Sequence, residues 1–248
     1  MKLCILNPNT SAAMTAKIGA QARRVASPGT QILAVNPTMG PASIESHYDD
    51  AVAVLGVLEE IRKAEAQGCD GYVIACFGDP GLRAAREAAT GPVIGIAEAA
   101  MHAASFLATG FSVVTTLTRT CVIAEHLAQA YGMNGFCRNI HGTDIPVLDL
   151  EGDNPPAYAT IRAACKHALA VDRSAAIVLG CAGMSDLAAR LSGELGVPVI
   201  DGVGVAVRLV ESLVALNLST SKRGDYAPPL PKPYVGLTSG FAWPARHA

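Results

Sequence analysis

Cys76 and Cys181 hold matching places in two halves of a 248-residue chain. The first closes Gly71-Tyr-Val-Ile-Ala-Cys76-Phe-Gly78, the second Ala176-Ile-Val-Leu-Gly-Cys181-Ala-Gly183. Each thiol thus follows an apolar run and precedes a glycine by two residues. A thiolate accepts a proton and a thiol returns one. Placed on opposite faces of one carbon, the pair can remove a proton alpha to a carbonyl and replace it from the far side. The centre is inverted without a cofactor. A cysteine between a strand end and a helix start also feels the positive end of the helix dipole, which can draw its pKa from about 8.5 towards neutrality. Gly78 and Gly183 would let backbone N–H groups approach a bound carbonyl and hold the charge that develops on its oxygen.

Other reactive side chains make weaker cases. Buried cysteines commonly act as small hydrophobes, and packing is the reading adopted for Cys4, Cys69, Cys121, Cys137 and Cys165. Cys121 with His126, and Cys137 with His141, have ligand-pair spacing. Without a Cys-x-x-Cys beside them no structural zinc site is expected. Ser43-Ile-Glu-Ser-His47 reads as a polar loop that either closes over a ligand or is simply solvated. His47 has no identifiable carboxylate partner. His102 and His126 fall on helices as packing or surface residues. Glu98, Asp201, Asp79 and Asp186 stand near helix starts and are read as caps. There is no P-loop, Gly202-Val-Gly204 lacks the third glycine of a dinucleotide fingerprint, and no lysine occupies a turn suited to a Schiff base. Neither cofactor nor metal is expected.

Apolar runs alternate with amphipathic stretches, the pattern of parallel sheets covered by helices. Strands are expected at 3–6, 31–35, 72–75, 92–96, 111–115, 145–148, 177–180 and 197–200. The first helix starts from a Thr10 or Ser11 cap. Others are expected at 51–67, 82–89, 99–107, 122–131, 155–171, 187–195 and 205–216. Ligands of such sheets bind beyond the carboxyl ends of the strands. Four turns lie there: Asn7-Pro-Asn9-Thr10, Cys76-Phe-Gly-Asp79, Thr115-Thr-Leu-Thr118 and Cys181-Ala-Gly-Met184.

The halves read as copies. Cys76 and Cys181, Gly78 and Gly183, and Leu82 and Leu187 each stand 105 residues apart. Pro92-Val-Ile matches Pro198-Val-Ile at 106, and Ile5, Met14 and Ile18 match Val114, Ile123 and Leu127 at 109. Such long offsets exclude a solenoid. They predict an α/β fold of two pseudo-symmetric lobes with the site in the cleft between them. The first lobe is expected from residues 1–97 with 214–248, the second from 98–213. Pro-rich Tyr226–Tyr234 excludes a helix, so an irregular tail is expected.

Composition bounds the partners. Net charge is −2 with no basic block, which excludes a nucleic-acid partner. Only 16% of residues are charged, against roughly 25% in an average domain, which leaves surface for subunit contacts. Ala99–Thr118 lacks formal charge, yet its His, Ser, Thr and Gly read as helix, turn and strand rather than a membrane span. Leu3–Leu6 is too short for the apolar core of a signal peptide. Seven cysteines without an export signal predict reduced thiols and a cytoplasmic location.

At these residues the chain resembles the aspartate/glutamate/hydantoin racemase superfamily, and closely its hydantoin and allantoin racemase branch. The matching segments are Ile5–Thr10, Met39–Glu45, Val73–Gly81, Phe111–Thr116, Leu179–Met184 and Val197–Gly202. The resemblance implies a cofactor-independent isomerase of purine degradation, assembled as a homo-oligomer. It maps the two catalytic cysteines onto Cys76 and Cys181. Substrate-binding positions map onto Asn7, Asn9, Thr10, Phe77, Gly78, Thr115, Thr116, Ala182 and Gly183, with Ser43 from the polar loop. The implied substrate is a hydantoin ring with one substituent at C5. Cys76–Gly81, Gly91–His102 and Thr220–Gly224 look more like allantoin racemases, whereas some hydantoin racemases carry Trp where this chain has Phe77. Hydantoin racemisation with alkyl or aryl substituents is the alternative. An arylmalonate-type decarboxylase needs only one cysteine, and a maleate isomerase lacks the match in the flanking turns. A non-catalytic two-lobed binding protein would need no mirrored thiols.

Overall fold

The computed structural model describes residues 1–243. Two four-stranded parallel sheets form the framework, with helices on their faces. The first has the order β2-β1-β3-β4, from β1 (Lys2–Leu6), β2 (Gln31–Val35), β3 (Gly71–Ile74) and β4 (Val93–Gly95). The second repeats it as β6-β5-β7-β8, from β5 (Phe111–Thr115), β6 (Cys137–Gly142), β7 (Ala176–Gly180) and β8 (Val199–Asp201). The offsets seen in the sequence are structural. β1 and β5 differ by 109, β3 and β7 begin 105 apart, and β4 and β8 differ by 106. The central strands β3, β5 and β7 are buried throughout because helices cover both faces, which is why they read as unbroken apolar runs.

Intervening helices are α1 (Ala12–Val25), α2 (His47–Ala66), α3 (Leu82–Ala88), α4 (Ile96–Leu107), α5 (Cys121–Ala130), α6 (Pro155–Val171), α7 (Ala188–Leu195) and α8 (Gly202–Ala215). Ser11 caps α1, its hydroxyl accepting the Met14 N–H at 3.0 Å. Asn154 caps α6 ahead of Pro155 and Pro156. The helices that follow β4 and β8 join the two halves. α4 lies against β7 and β8 of the second sheet, α8 against β3 and β4 of the first, and the two helices pack on each other.

Three local expectations are corrected. The strand expected at 145–148 is absent; residues Val147–Leu150 form a 3-10 turn after Pro146, which has no N–H for a ladder. Cys137 instead opens β6, an edge strand whose Arg138 and Asn139 are exposed, so it lacks an apolar signature. α2 begins at His47, four residues before the expected start, because Ser46 caps it. α4 likewise begins three residues early, at Ile96, for a reason found at Asp79. After α8 the chain runs irregularly with two 3-10 turns, as expected of its prolines; the tail's last five residues, 244–248, lie outside the described residues. Lys222 and Thr220 tie this tail to backbone carbonyls of Arg86 (2.6 Å) and Gly91 (2.9 Å).

Candidate active site

The carboxyl ends of the central strands of both sheets open onto one cavity. Cys76 follows β3 and Cys181 follows β7, and both line it. Both are free thiols, so the pair is not joined as a disulfide. Of the ten binding positions read from the sequence, eight line the same cavity: Asn7, Asn9, Phe77, Gly78, Thr115, Thr116, Ala182 and Gly183. Thr10 and Ser43 are not on its wall. Thr10 sits behind the turn, its hydroxyl and N–H both directed at the Pro41 carbonyl. Ile44 lines the cavity in place of its neighbour Ser43.

Each polar turn is braced from within. Asn7 Nδ2 donates to Asn9 Oδ1 at 2.7 Å and to Thr15 Oγ1 at 3.0 Å, and Asn9 Oδ1 also accepts the Ser11 N–H at 2.9 Å. The amide of Asn7 therefore shapes the turn and presents Asn9. On the other sheet, Thr115 Oγ1 donates to the Gly180 carbonyl at 2.8 Å. That bond joins the end of β5 to the residue before Cys181.

Both cysteines are half-buried, and burial raises both pKa values. The expected drop towards neutrality is not present, because desolvation of a thiolate outweighs the local donors. Those donors exist. The Gly78 N–H favours a Cys76 thiolate, and the Gly183 and Met184 N–H groups favour a Cys181 thiolate. Cys181 gains further from the positive charge of Lys17 and is pushed up only to about 11. Cys76 stands above it, in part because an ionised Cys181 repels a second negative charge. The pair therefore favours one thiolate and one thiol over two thiolates.

Asp79 does not cap α3, the helix that follows it, which starts after Gly81 without a side-chain cap. Its carboxylate accepts the N–H of Ala97 at 3.1 Å and of Glu98 at 2.9 Å, so it caps α4 instead of α3. That remote cap explains the early start of α4, and Gly95 must lack a Cβ because the Asp79 carboxylate occupies that space. Glu98 is accordingly no cap; it pairs with Arg86 at 2.5 Å. Asp186 pairs with Lys17 at 3.1 Å and also caps nothing. Asp201 does cap α8, through the N–H groups of Val203 and Gly204 at 2.9 Å each. His102 lies on α4 with its Nδ1 against the Glu98 carbonyl. Among the described residues no three His, Cys, Asp or Glu side chains converge as a metal site, so the spacings of Cys121 with His126 and of Cys137 with His141 build nothing larger.

The sequence reading missed Asp50, in the first turn of α2, which lines the cavity beside Cys76 and Gly78. It also missed the apolar wall of Ile44, Ile123 and Val147. A Ser-x-x-acid spacing at Ser46-His-Tyr-Asp49 was the available signal for Asp50, since it fixes the helix start and hence the turn Asp50 occupies.

Two parallel sheets with a thiol at the end of each equivalent strand, both facing one cavity, define an α/β enzyme of the two-lobed racemase type. The chain belongs to the Asp/Glu/hydantoin racemase family, which it matches over residues 3–210. A hydantoin racemase from Pseudomonas sp. (strain NS671) is 49% identical over 241 residues, 97% of each chain. An allantoin racemase structure from Klebsiella pneumoniae superposes with a TM-score of 0.95 at 57% identity, covering 98% of this chain and 99% of that one. An allantoin racemase from Pseudomonas fluorescens superposes at 0.91 with 38% identity, over 95% of this chain and 100% of that one. The protein is an isomerase, a racemase of the hydantoin and allantoin type. No described helix is long and apolar enough to cross a membrane.

Proposed function

We propose that the protein interconverts (R)- and (S)-allantoin by two-base proton transfer at C5, without a cofactor, with Cys76 and Cys181 as the two bases. The observation that carries this reading is the meeting of both thiols at one cavity from equivalent strand ends. One sulfur, as thiolate, takes the C5 proton, and the electron pair of the C–H bond moves onto the adjacent carbonyl oxygen. Backbone N–H groups of the glycine turns are suited to hold that charge. The opposite thiol then gives its proton to the other face of C5. The carbon is inverted, and thiol and thiolate have exchanged places. An acid and a base are both needed, which suits a pair that resists double ionisation.

Likeness to two allantoin racemase structures supports allantoin as the substrate. Racemisation of hydantoins with alkyl or aryl substituents is the second reading, supported by the hydantoin racemase at 49% identity. A homo-oligomer in the cytoplasm, serving purine degradation, belongs to the same proposal and rests on the family resemblance.

The test follows optical rotation and C5 deuterium uptake in D₂O, with enantiopure allantoin and with benzylhydantoin. The wild type should racemise allantoin with deuterium incorporation, and Cys76→Ser and Cys181→Ser should each abolish it while the fold is kept. Full activity in either single variant defeats the two-base assignment. Faster turnover of benzylhydantoin moves the substrate to the second reading.

A further inference from the structure

Two aspartates open α2, and only one is used by the fold. Asp49 completes the helix start: its N–H is accepted by the Ser46 hydroxyl at 3.2 Å, and its Oδ2 accepts that hydroxyl at 2.8 Å and the Glu45 N–H at 3.0 Å. Asp50 turns towards the cavity that holds both cysteines. Its Oδ1 is buried and has no hydrogen-bond donor among the described residues. A buried acceptor left unpaired is costly, and more so when charged. Burial accordingly raises the pKa of this carboxyl, against the pull of His47.

Gly78 supplies an independent reason to see the carboxylate as part of the site. A Cβ at Gly78 would lie 3.1 Å from Asp50 Oδ1 and 3.9 Å from Cys76 Sγ. The φ of Gly78 is not in the left-handed region, so the backbone does not demand glycine there. What glycine provides is room between a proton-transferring sulfur and an unpaired acceptor. The partner that enters this space must donate, and it must sit close to the carbon that meets Cys76.

We propose that Asp50 is the specificity residue of the site, with Oδ1 accepting an N–H from the C5 substituent of the substrate. The site would then select a ureido-type substituent over an alkyl or aryl one. This deepens the two-thiol reading and rests on it. Three groups surround C5 in a hydantoin: the C4 carbonyl, the N1–H and the substituent. The carbonyl becomes negative as the proton leaves, so a carboxylate cannot be its neighbour. A carboxylate on N1–H would push charge into the ring and oppose deprotonation. The exocyclic substituent lies outside that conjugation and can take the bond at no such cost. An apolar substituent would bury Asp50 without a donor, and a site built to pair a polar group rejects analogues that lack it.

The test measures kcat/KM for C5 deuterium exchange on (S)-allantoin and on 5-benzylhydantoin, for wild type, Asp50→Asn and Asp50→Leu. Thermal melts check that each variant folds, and Asp50→Asn keeps the shape should Asp50→Leu fail to fold. Loss of a charged hydrogen bond predicts a fall of roughly 10- to 100-fold on allantoin. Benzylhydantoin exchange should hold or rise, so the ratio of the two substrates collapses. Equal falls on both substrates would assign Asp50 to a ring N–H and overturn the proposal, as would an unchanged allantoin rate. A wild type that exchanges neither substrate would overturn the two-thiol reading beneath it, and is told apart because the variants then have nothing to alter.

Discussion

Tyr131, the C-cap residue just past α5, donates its hydroxyl to the Asp79 carboxylate at 2.7 Å, so the turn that carries Cys76 is fastened to the end of a helix in the other half of the chain. The same carboxylate holds the first N–H groups of α4. Asp79 itself has a φ of 46°, a region that few residues other than glycine occupy and that aspartate tolerates better than most. One side chain therefore fixes the first thiol's turn, the start of α4 and the approach of α5.

Replacing it should be expensive for the fold. Asp79→Ala leaves three donors without an acceptor in a buried place and should lower stability by about 2 kcal/mol. Tyr131→Phe removes one bond and keeps the cap, and about 1 kcal/mol is expected. Urea midpoints of the two variants decide it. An Asp79→Ala midpoint equal to wild type would mean that the α4 cap carries no weight.

The second thiol is steadied differently. Thr115 donates to the carbonyl of Gly180, the residue before Cys181. Thr115→Val keeps the shape and removes the donor, which leaves a buried carbonyl unpaired and should cost about 1 kcal/mol. Because Thr115 acts here through the backbone that bears Cys181, kcat should fall several-fold more than KM rises. Thr115→Ser, which restores the hydroxyl, should recover most of the loss. Equal kcat in Thr115→Val and wild type would remove the positioning role.

These two braces mark where sequence reasoning stops. Strands β3 and β7 were legible because burial on both faces forces an unbroken apolar run, and a duplicated run with its cysteine cannot be mistaken for a surface segment. β6 was not legible, since an edge strand with exposed Arg138 and Asn139 has no such constraint. Following the repeat would have located it, for β2 and β6 begin 106 residues apart, an offset already present in the Pro-Val-Ile strands. Eight of ten binding positions reached the cavity because strand ends converge there by topology. Asp79 as a cap for α4 was invisible, as its partners lie 18 and 19 residues away and depend on a left-handed backbone. Asp50 was hidden by a helix start placed four residues late.

The order of ionisation of the two thiols gives the last prediction. Burial raises both, but Cys181 has two backbone donors and the charge of Lys17, and stands at about 11, below Cys76. Lys17 is itself held in place by Asp186 at 3.1 Å and by the Leu150 carbonyl at 2.7 Å. Alkylation reads the thiolate fraction directly, and below the pKa that fraction grows about tenfold per pH unit. Iodoacetamide followed by peptide mass analysis between pH 7 and 10 should therefore label Cys181 ahead of Cys76, with the rate climbing across the whole range. Lys17→Met removes the favourable charge and should slow Cys181 labelling. Glu45→Gln removes a negative charge that raises Cys181 and should hasten it. Labelling of Cys76 first, or a Cys181 rate indifferent to both substitutions, would show that the charges around the second thiol do not set which sulfur gives up its proton.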